Sequence, residues 1–251
     1  GQVNDGSVSV TLYNNNNPWT EGFNLVGNPY PSAVDWDIPA GWTKTNIDDA
    51  LYYFKASTTD QYGGTYSSYV GTVSSDELAT NIIPSMQGFF VHVSDGSFPV
   101  EAYLEVNNNA RITDLTHSFL KSGKGPSKPL IRLAARFSDD PASADPLVVY
   151  FDEKAMTSFD SSLDALKLMN TDLNVPSLYA LSSDGMKLSV NGQPLSLMNE
   201  CTIPLGIKTS KNGNITFYLS SRDEVFTGTG ICLKDNITGN IHDLSVGNEY
   251  N

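Results

Sequence analysis

Apolar residues in this chain recur at every second position, and no long stretch shows the three-to-four spacing of a surface helix. Val8, Val10 and Leu12 alternate with Ser7, Ser9 and Thr11. Ile131, Leu133, Ala135 and Phe137 alternate with Arg132, Ala134 and Arg136, and Ile203, Leu205 and Ile207 with Thr202, Pro204 and Gly206. A period of two sends neighbouring side chains to opposite faces of a pleated strand. Leu51, Tyr52, Tyr53 and Phe54 form a short aromatic run, as do residues 88–93, and residues 147–151 read as a strand buried on both faces. Turn chemistry separates the runs at Ser183-Asp184-Gly185, Asn191-Gly192 and Lys211-Asn212-Gly213. Strands about 8–12 residues apart, with one short helix expected over 153–159, predict an all-β chain of sandwiches.

Residues 121–129 lack large apolar side chains and hold two Gly and two Pro, the composition of a linker. The expected organisation is therefore two β-sandwich domains joined by a short Gly/Pro/Lys linker. An aromatic-rich module spans 1–122, the linker 123–129, and a second sandwich, Ig-like or jelly-roll-like, 130–251. All three Trp and 8 of the 12 Tyr lie in the first half, which argues for two separate cores. Asn248-Glu249-Tyr250-Asn251 reads as the start of a strand, so the second domain is expected to be truncated there.

The net charge of -13 would repel phosphates, which excludes nucleic acid as a partner and disfavours an anionic membrane surface. No run approaches the roughly 18 apolar residues of a spanning helix. With 12 Tyr, 11 Phe and 3 Trp there is enough apolar area to fold. Cys201 and Cys232 fit either a disulfide or two buried thiols.

Word-like stretches go beyond generic β. Gly22-Phe-Asn-Leu-Val-Gly-Asn-Pro-Tyr-Pro-Ser-Ala-Val-Asp-Trp36 is followed by residues 51–54, then Ile82-Ile-Pro-Ser-Met-Gln-Gly-Phe-Phe-Val91, then Val106-Asn-Asn-Asn-Ala-Arg111. This order resembles a module near the C-termini of large exported proteins of Gram-negative bacteria that use type IX secretion. Val149-Tyr-Phe-Asp152, Ile203-Pro-Leu-Gly206 and Leu233-Lys-Asp-Asn-Ile-Thr-Gly239 resemble the module that usually follows it. The resemblance implies an extracellular or cell-surface location, upstream domains on the same polypeptide, and a sorting tail beyond Asn251. It implies no reaction, because such modules accompany proteases, glycan-active enzymes and adhesin-like proteins alike. Read physically, Pro29 and Pro31 force a rigid extended corner after a strand, with Gly27 easing the bend, Gly88 allowing close strand packing and Trp36 as a lid.

Catalytic patterns are missing from the sequence. His92, His117 and His242 are far apart and follow no metal or nucleophile spacing. His92 reads as a satisfied strand histidine. Adjacent carboxylates such as Asp35/Asp37 and Asp48/Asp49 do not by themselves face across a cleft, as glycosidases require. The chain is therefore expected not to be an enzyme and to need no cofactor. Calcium is the one exception the residues admit, in a loop holding Asp152, Asp160 and Asp164, for which a plain solvated acidic loop is the alternative. Asp139, Asp140 and Asp145 form a second acidic loop.

Trp19, Trp36, Trp42, Tyr62, Tyr66 and Tyr69 lie in or beside Gly/Ser/Thr/Asn-rich segments. Flat rings beside polar side chains suit sugar binding by stacking and hydrogen bonding, while packing within core or loop is the plainer account. The expected function is a non-catalytic structural or interaction module of a large exported surface protein, adhesin-like, with a surface glycan or protein as ligand. The alternative is a carbohydrate-binding accessory module of a secreted enzyme.

Overall fold

A computed structural model describes residues 4–112, 128–244 and 249–251. Most of the linker 123–129, together with His117, lies outside the described residues. The N-terminal alternation becomes β1 (Val8–Asn14), paired antiparallel along its whole length with β10 (Val100–Val106), so that Val8 faces Val106 and Asn14 faces Val100. On the other side of β10 lies β4 (Trp42–Thr45). A second sheet runs in the order β2 (Phe23–Gly27), β9 (Gly88–His92), β5 (Leu51–Ala56), β6 (Gly64–Val70) and β7 (Val73–Ser74). The two-residue strands β3 (Val34–Asp35) and β8 (Ile82–Ile83) pair with each other. Leu12, Leu104 and Val106 of the first sheet share one core with Phe89 and Val91 of the second, and Tyr30, Trp36 and Trp42 fill it. Each large apolar side chain buried this way contributes about 1.5–3 kcal/mol.

The second half builds a seven-stranded sheet. Its strands are β11 (Leu130–Phe137), β12 (Ala144–Asp152), β13 (Ala165–Leu166), β14 (Ser177–Leu181), β15 (Lys187–Pro194), β16 (Leu205–Lys208) and β17 (Ile215–Arg222). The order is β16-β14-β15-β12-β11-β17, with β13 also on β15. β12 and β15 run parallel, whereas β11 with β12, β11 with β17, β13 with β15, β14 with β15 and β14 with β16 are antiparallel. A separate ribbon joins β18 (Cys232–Lys234) to β19 (Ile241–Asp243). Residues 147–151 are buried on both faces as expected: Leu147 joins Ala135, Leu178 and Ala180 in one core, while its neighbours Val148 and Tyr150 are fully buried as well.

The chain is all-β; its helical content among the described residues is confined to single 3-10 turns. The described residues group into two compact units. One holds 4–53, 67–112 and 161–163, the other 54–66, 128–160, 164–244 and 249–251. No helix among the described residues is long and apolar enough to cross a membrane.

Local chemistry departs from the sequence reading at three places. Residues 153–159 form turns and bends, not a helix. The Asp152 carboxylate accepts the Lys154 N–H at 2.9 Å, so the side chain takes a donor in a turn of its own. Asn191-Gly192 is no hairpin turn but the buried middle of β15. There Gly192 packs so closely on Tyr150 that a Cβ would stand 3.0 Å from its ring. Gly27 and Gly88, in contrast, have room for a Cβ, with nearest atoms at 3.9 and 3.5 Å.

The Pro29/Pro31 corner is a buried polar joint. The Asn28 amide nitrogen lies 2.9 Å from the Ser32 carbonyl, 3.1 Å from that of Ile83 and 2.9 Å from that of Pro84. Its oxygen accepts the Tyr30 N–H at 3.0 Å. The fully buried Tyr30 lies with its hydroxyl 2.5 Å from the Gly6 carbonyl and 3.0 Å from that of Val106. Arg111 donates to the Ser32 hydroxyl at 3.0 Å and its guanidinium sits 5.3 Å from the centre of the Tyr30 ring. Three separate sequence words thus meet at one point, where the Asn28 amide nitrogen and the Tyr30 hydroxyl are satisfied by backbone carbonyls.

Candidate ligand-binding site

The expected ligand aromatics do not form one surface. Trp36 and Trp42 are buried, 3% and 9% exposed, with ring centres 4.6 Å apart and nearly edge to face. Each indole N–H is spent on backbone: Trp36 donates to the Asp49 carbonyl at 2.7 Å and Trp42 to that of Asp35 at 2.8 Å. The two rings still form the wall of a cleft of about 410 Å³ in the first unit, together with Asp37, Lys44 and Asp49. That volume is in the range of small-molecule pockets. Lys44 lies over the Trp36 ring, its Nζ 3.9 Å from the centre, and pairs with Asp49 at 2.9 Å. Asp37 accepts the Tyr69 hydroxyl at 2.5 Å, which places the buried Tyr69 behind the cleft. Burial pushes the Asp37 carboxyl up from the usual range, against the Tyr69 hydrogen bond, which lowers it. The cleft therefore offers charge and ring edges. Its stacking face on Trp36 is taken by Lys44.

Trp19 stands apart. It is 92% exposed, on a turn that is itself well held. The Trp19 N–H donates to the Asn17 side chain at 2.9 Å, Glu21 to the Asn17 carbonyl at 2.8 Å, and Phe23 to the Thr20 carbonyl at 2.8 Å. Asn15, Asn16 and Asn17 beside it are exposed. In the second unit Tyr62 is 84% exposed at the tip between β5 and β6, its N–H held by Asp60 at 3.0 Å. Tyr66 is half-buried against Phe54, ring centres 5.2 Å apart.

His92 is a buried histidine of β9 with its hydrogen bonding satisfied, and it belongs to a polar grouping. Its Nδ1 lies 2.6 Å from Asp48, and the Ser94 hydroxyl donates to the other oxygen of the same carboxylate at 2.5 Å. Serine, histidine and aspartate are thus together, but the serine bonds the acid and not the imidazole. A proton relay needs the opposite order. Sequence distance concealed this cluster, since 44 residues separate Asp48 from His92.

The acidic loop is occupied by its own backbone. Asp164 is buried and accepts the Gly192 N–H at 2.7 Å and the Asp160 N–H at 2.8 Å. Burial pushes its carboxyl up to about 7, against both of those hydrogen bonds. Asp152 faces Lys128 at 3.2 Å and is held below the usual range, first by the Lys154 N–H. Among the described residues no group of three or more His, Cys, Asp or Glu is placed to hold a metal ion. Asp145 lies within β12, not in an exposed loop, and is buried against Lys167. Cys201 and Cys232 are unbonded, exposed, and line one apolar cavity of about 300 Å³ in the second unit.

No curated protein and no solved structure matches the chain. A family model, described as "Domain of unknown function (DUF8693)", matches residues 1–251, and the chain belongs to that family.

Proposed function

We propose that the chain is a non-catalytic interaction module of an exported cell-surface protein, carried with upstream domains of the same polypeptide. The observation that carries this reading is Trp19, a whole indole displayed to solvent on a hydrogen-bonded turn. A rigid, exposed Trp buries a large area on contact with little loss of conformational freedom, which is how binding surfaces are anchored. The groups that could support chemistry are instead engaged within the fold: His92 and Ser94 with Asp48, Asp37 with Tyr69, Asp49 with Lys44. The extracellular setting rests on the resemblance of the Asn-Pro-Tyr-Pro and Met-Gln-Gly-Phe-Phe words. In this reading the module works without a resident cofactor, and equilibrium dialysis with calcium tests the loop of Asp152, Asp160 and Asp164.

The second reading is carbohydrate binding. It is favoured by the row of exposed amides, Asn15 to Asn17, next to the Trp19 ring, which supplies hydrogen bonds beside a stacking face. A glycan array and a panel of surface proteins, each probed with the wild type and Trp19→Ala, separate the two. Binding lost in Trp19→Ala supports the interaction role, and the array identifies the ligand class. Turnover of glycan or peptide substrates, lost on substitution of Asp37 or Asp49, would overturn the non-catalytic reading.

A further inference from the structure

We propose that Lys167 and Asp145 condense into an intramolecular amide, a covalent cross-link inside the second unit. Lys167 Nζ lies 2.5 Å from Asp145 Oδ2, and the two side chains are 2% and 1% exposed. Both ends are seated on the sheet. Asp145 belongs to β12 and is paired with Ala135 of β11, while Lys167 directly follows β13 and donates its backbone N–H to the Lys187 carbonyl at 2.8 Å. Neither side chain has freedom to lose, so the reaction proceeds at the high effective concentration of a fixed pair.

The site also supplies what the acyl carbon needs. The Leu178 N–H points at Asp145 Oδ2 from 2.7 Å, where negative charge develops when the amine adds to the carboxyl carbon. The balance closes within the pair. The ammonium begins with three protons and the carboxylate with none. One proton passes from Nζ to the carboxylate, leaving a neutral amine and a neutral acid. Nζ then bonds to Cγ, a second proton moves to Oδ1, and the Cγ–Oδ1 bond breaks as water leaves. Nζ keeps the third proton as the amide N–H. Nothing is oxidised or reduced. The product replaces two buried charges, whose desolvation costs several kcal/mol each, with one neutral group. The buried site then protects the amide from the reverse reaction with water.

Such a bond ties β12 to the end of β13 and closes the chain between residues 145 and 167. A load applied along the polypeptide then bypasses that segment, a useful property for a surface module. Intact-mass measurement of the denatured full chain tests the proposal. The expected wild-type mass is lighter by one water than the sequence requires, and Lys167→Arg, which keeps the positive charge beside Asp145, returns to the full sequence mass. Tryptic digestion of the wild type should yield a branched peptide joining the segments around Asp145 and Lys167, uncut after Lys167. A wild type at full sequence mass overturns the cross-link. So does a water loss that persists in Lys167→Arg, which would place it elsewhere, as in a cyclised Asp184-Gly185.

Discussion

His92 and Asp48 form a closed buried pair, 2.6 Å apart, and the space on the far side of the imidazole is filled too. Gly22 sits there at a positive φ of 79°, where an added Cβ would stand 2.7 Å from His92 Nε2 and 2.6 Å from the Asn14 amide nitrogen. Removing one partner of a buried pair leaves the other uncompensated. Asp48→Ala is expected to cost about 3–5 kcal/mol in urea unfolding. Gly22→Ala should destabilise as well, by about 1–3 kcal/mol of overpacking, besides its backbone strain. A midpoint for Asp48→Ala equal to wild type would show that the pair does not hold the first unit together.

Asn28 makes a sharper test of the Pro29/Pro31 corner, because its amide nitrogen faces carbonyls only. Asn28→Ala should cost roughly 1–3 kcal/mol for each buried group left without a partner. Asn28→Asp should cost more than Asn28→Ala, since it sets a carboxylate against carbonyl oxygens. The reverse ranking in chemical denaturation would contradict the geometry.

Tryptophan fluorescence separates display from packing. Trp19→Ala is expected to stay within about 0.5 kcal/mol of wild-type stability, as surface changes do. Trp36→Ala should lose about 3–5 kcal/mol, as buried aromatics do. Acrylamide should quench the emission of Trp19 and spare that of Trp36 and Trp42, so a variant lacking Trp19 should lose nearly all quenchable signal.

Asp164 gives the second unit a pH dependence of definite sign. Its folded value of about 7 stands above the ordinary 3.8 of an aspartate, so the folded state holds the proton more tightly. The associated stability is fully present below about pH 4 and is lost as the pH rises to about 7. The loss is bounded by about 4 kcal/mol, from 1.36 kcal/mol per pH unit. Asp164→Asn should flatten this slope, read as the difference in unfolding free energy between variant and wild type from pH 4 to 7. Parallel curves would refute the assignment.

The strands were legible where alternation was clean and turns were local. β1 and β11 follow from side-chain period, and the doubly buried run in β12 from its short unbroken stretch of β-branched and aromatic residues. Asn191-Gly192 misled because turn propensity reports a dipeptide, whereas its place in β15 is set by Tyr150, far away in sequence. Which aromatics pack and which are displayed was not legible for a related reason. Trp19 and Trp36 have similarly polar neighbours, yet the Trp36 indole N–H donates to the Asp49 carbonyl within the fold while Trp19 stands exposed. Asp145 and Lys167 were invisible as a pair because the acid reads as part of an exposed run until the sheet encloses it.

The parallel pairing of β12 with β15 has a consequence for how the chain is made. The hairpin of β11 and β12 can close once Asp152 has left the ribosome. Its flanks remain bare until Pro194 completes β15 on one side and Arg222 completes β17 on the other. Non-local closure of this kind is slow and leaves apolar strands uncovered during synthesis. Later-made strands of this sheet thus seal its first hairpin. The sheet of the second unit is therefore kept from closing by its own topology until Arg222 is free.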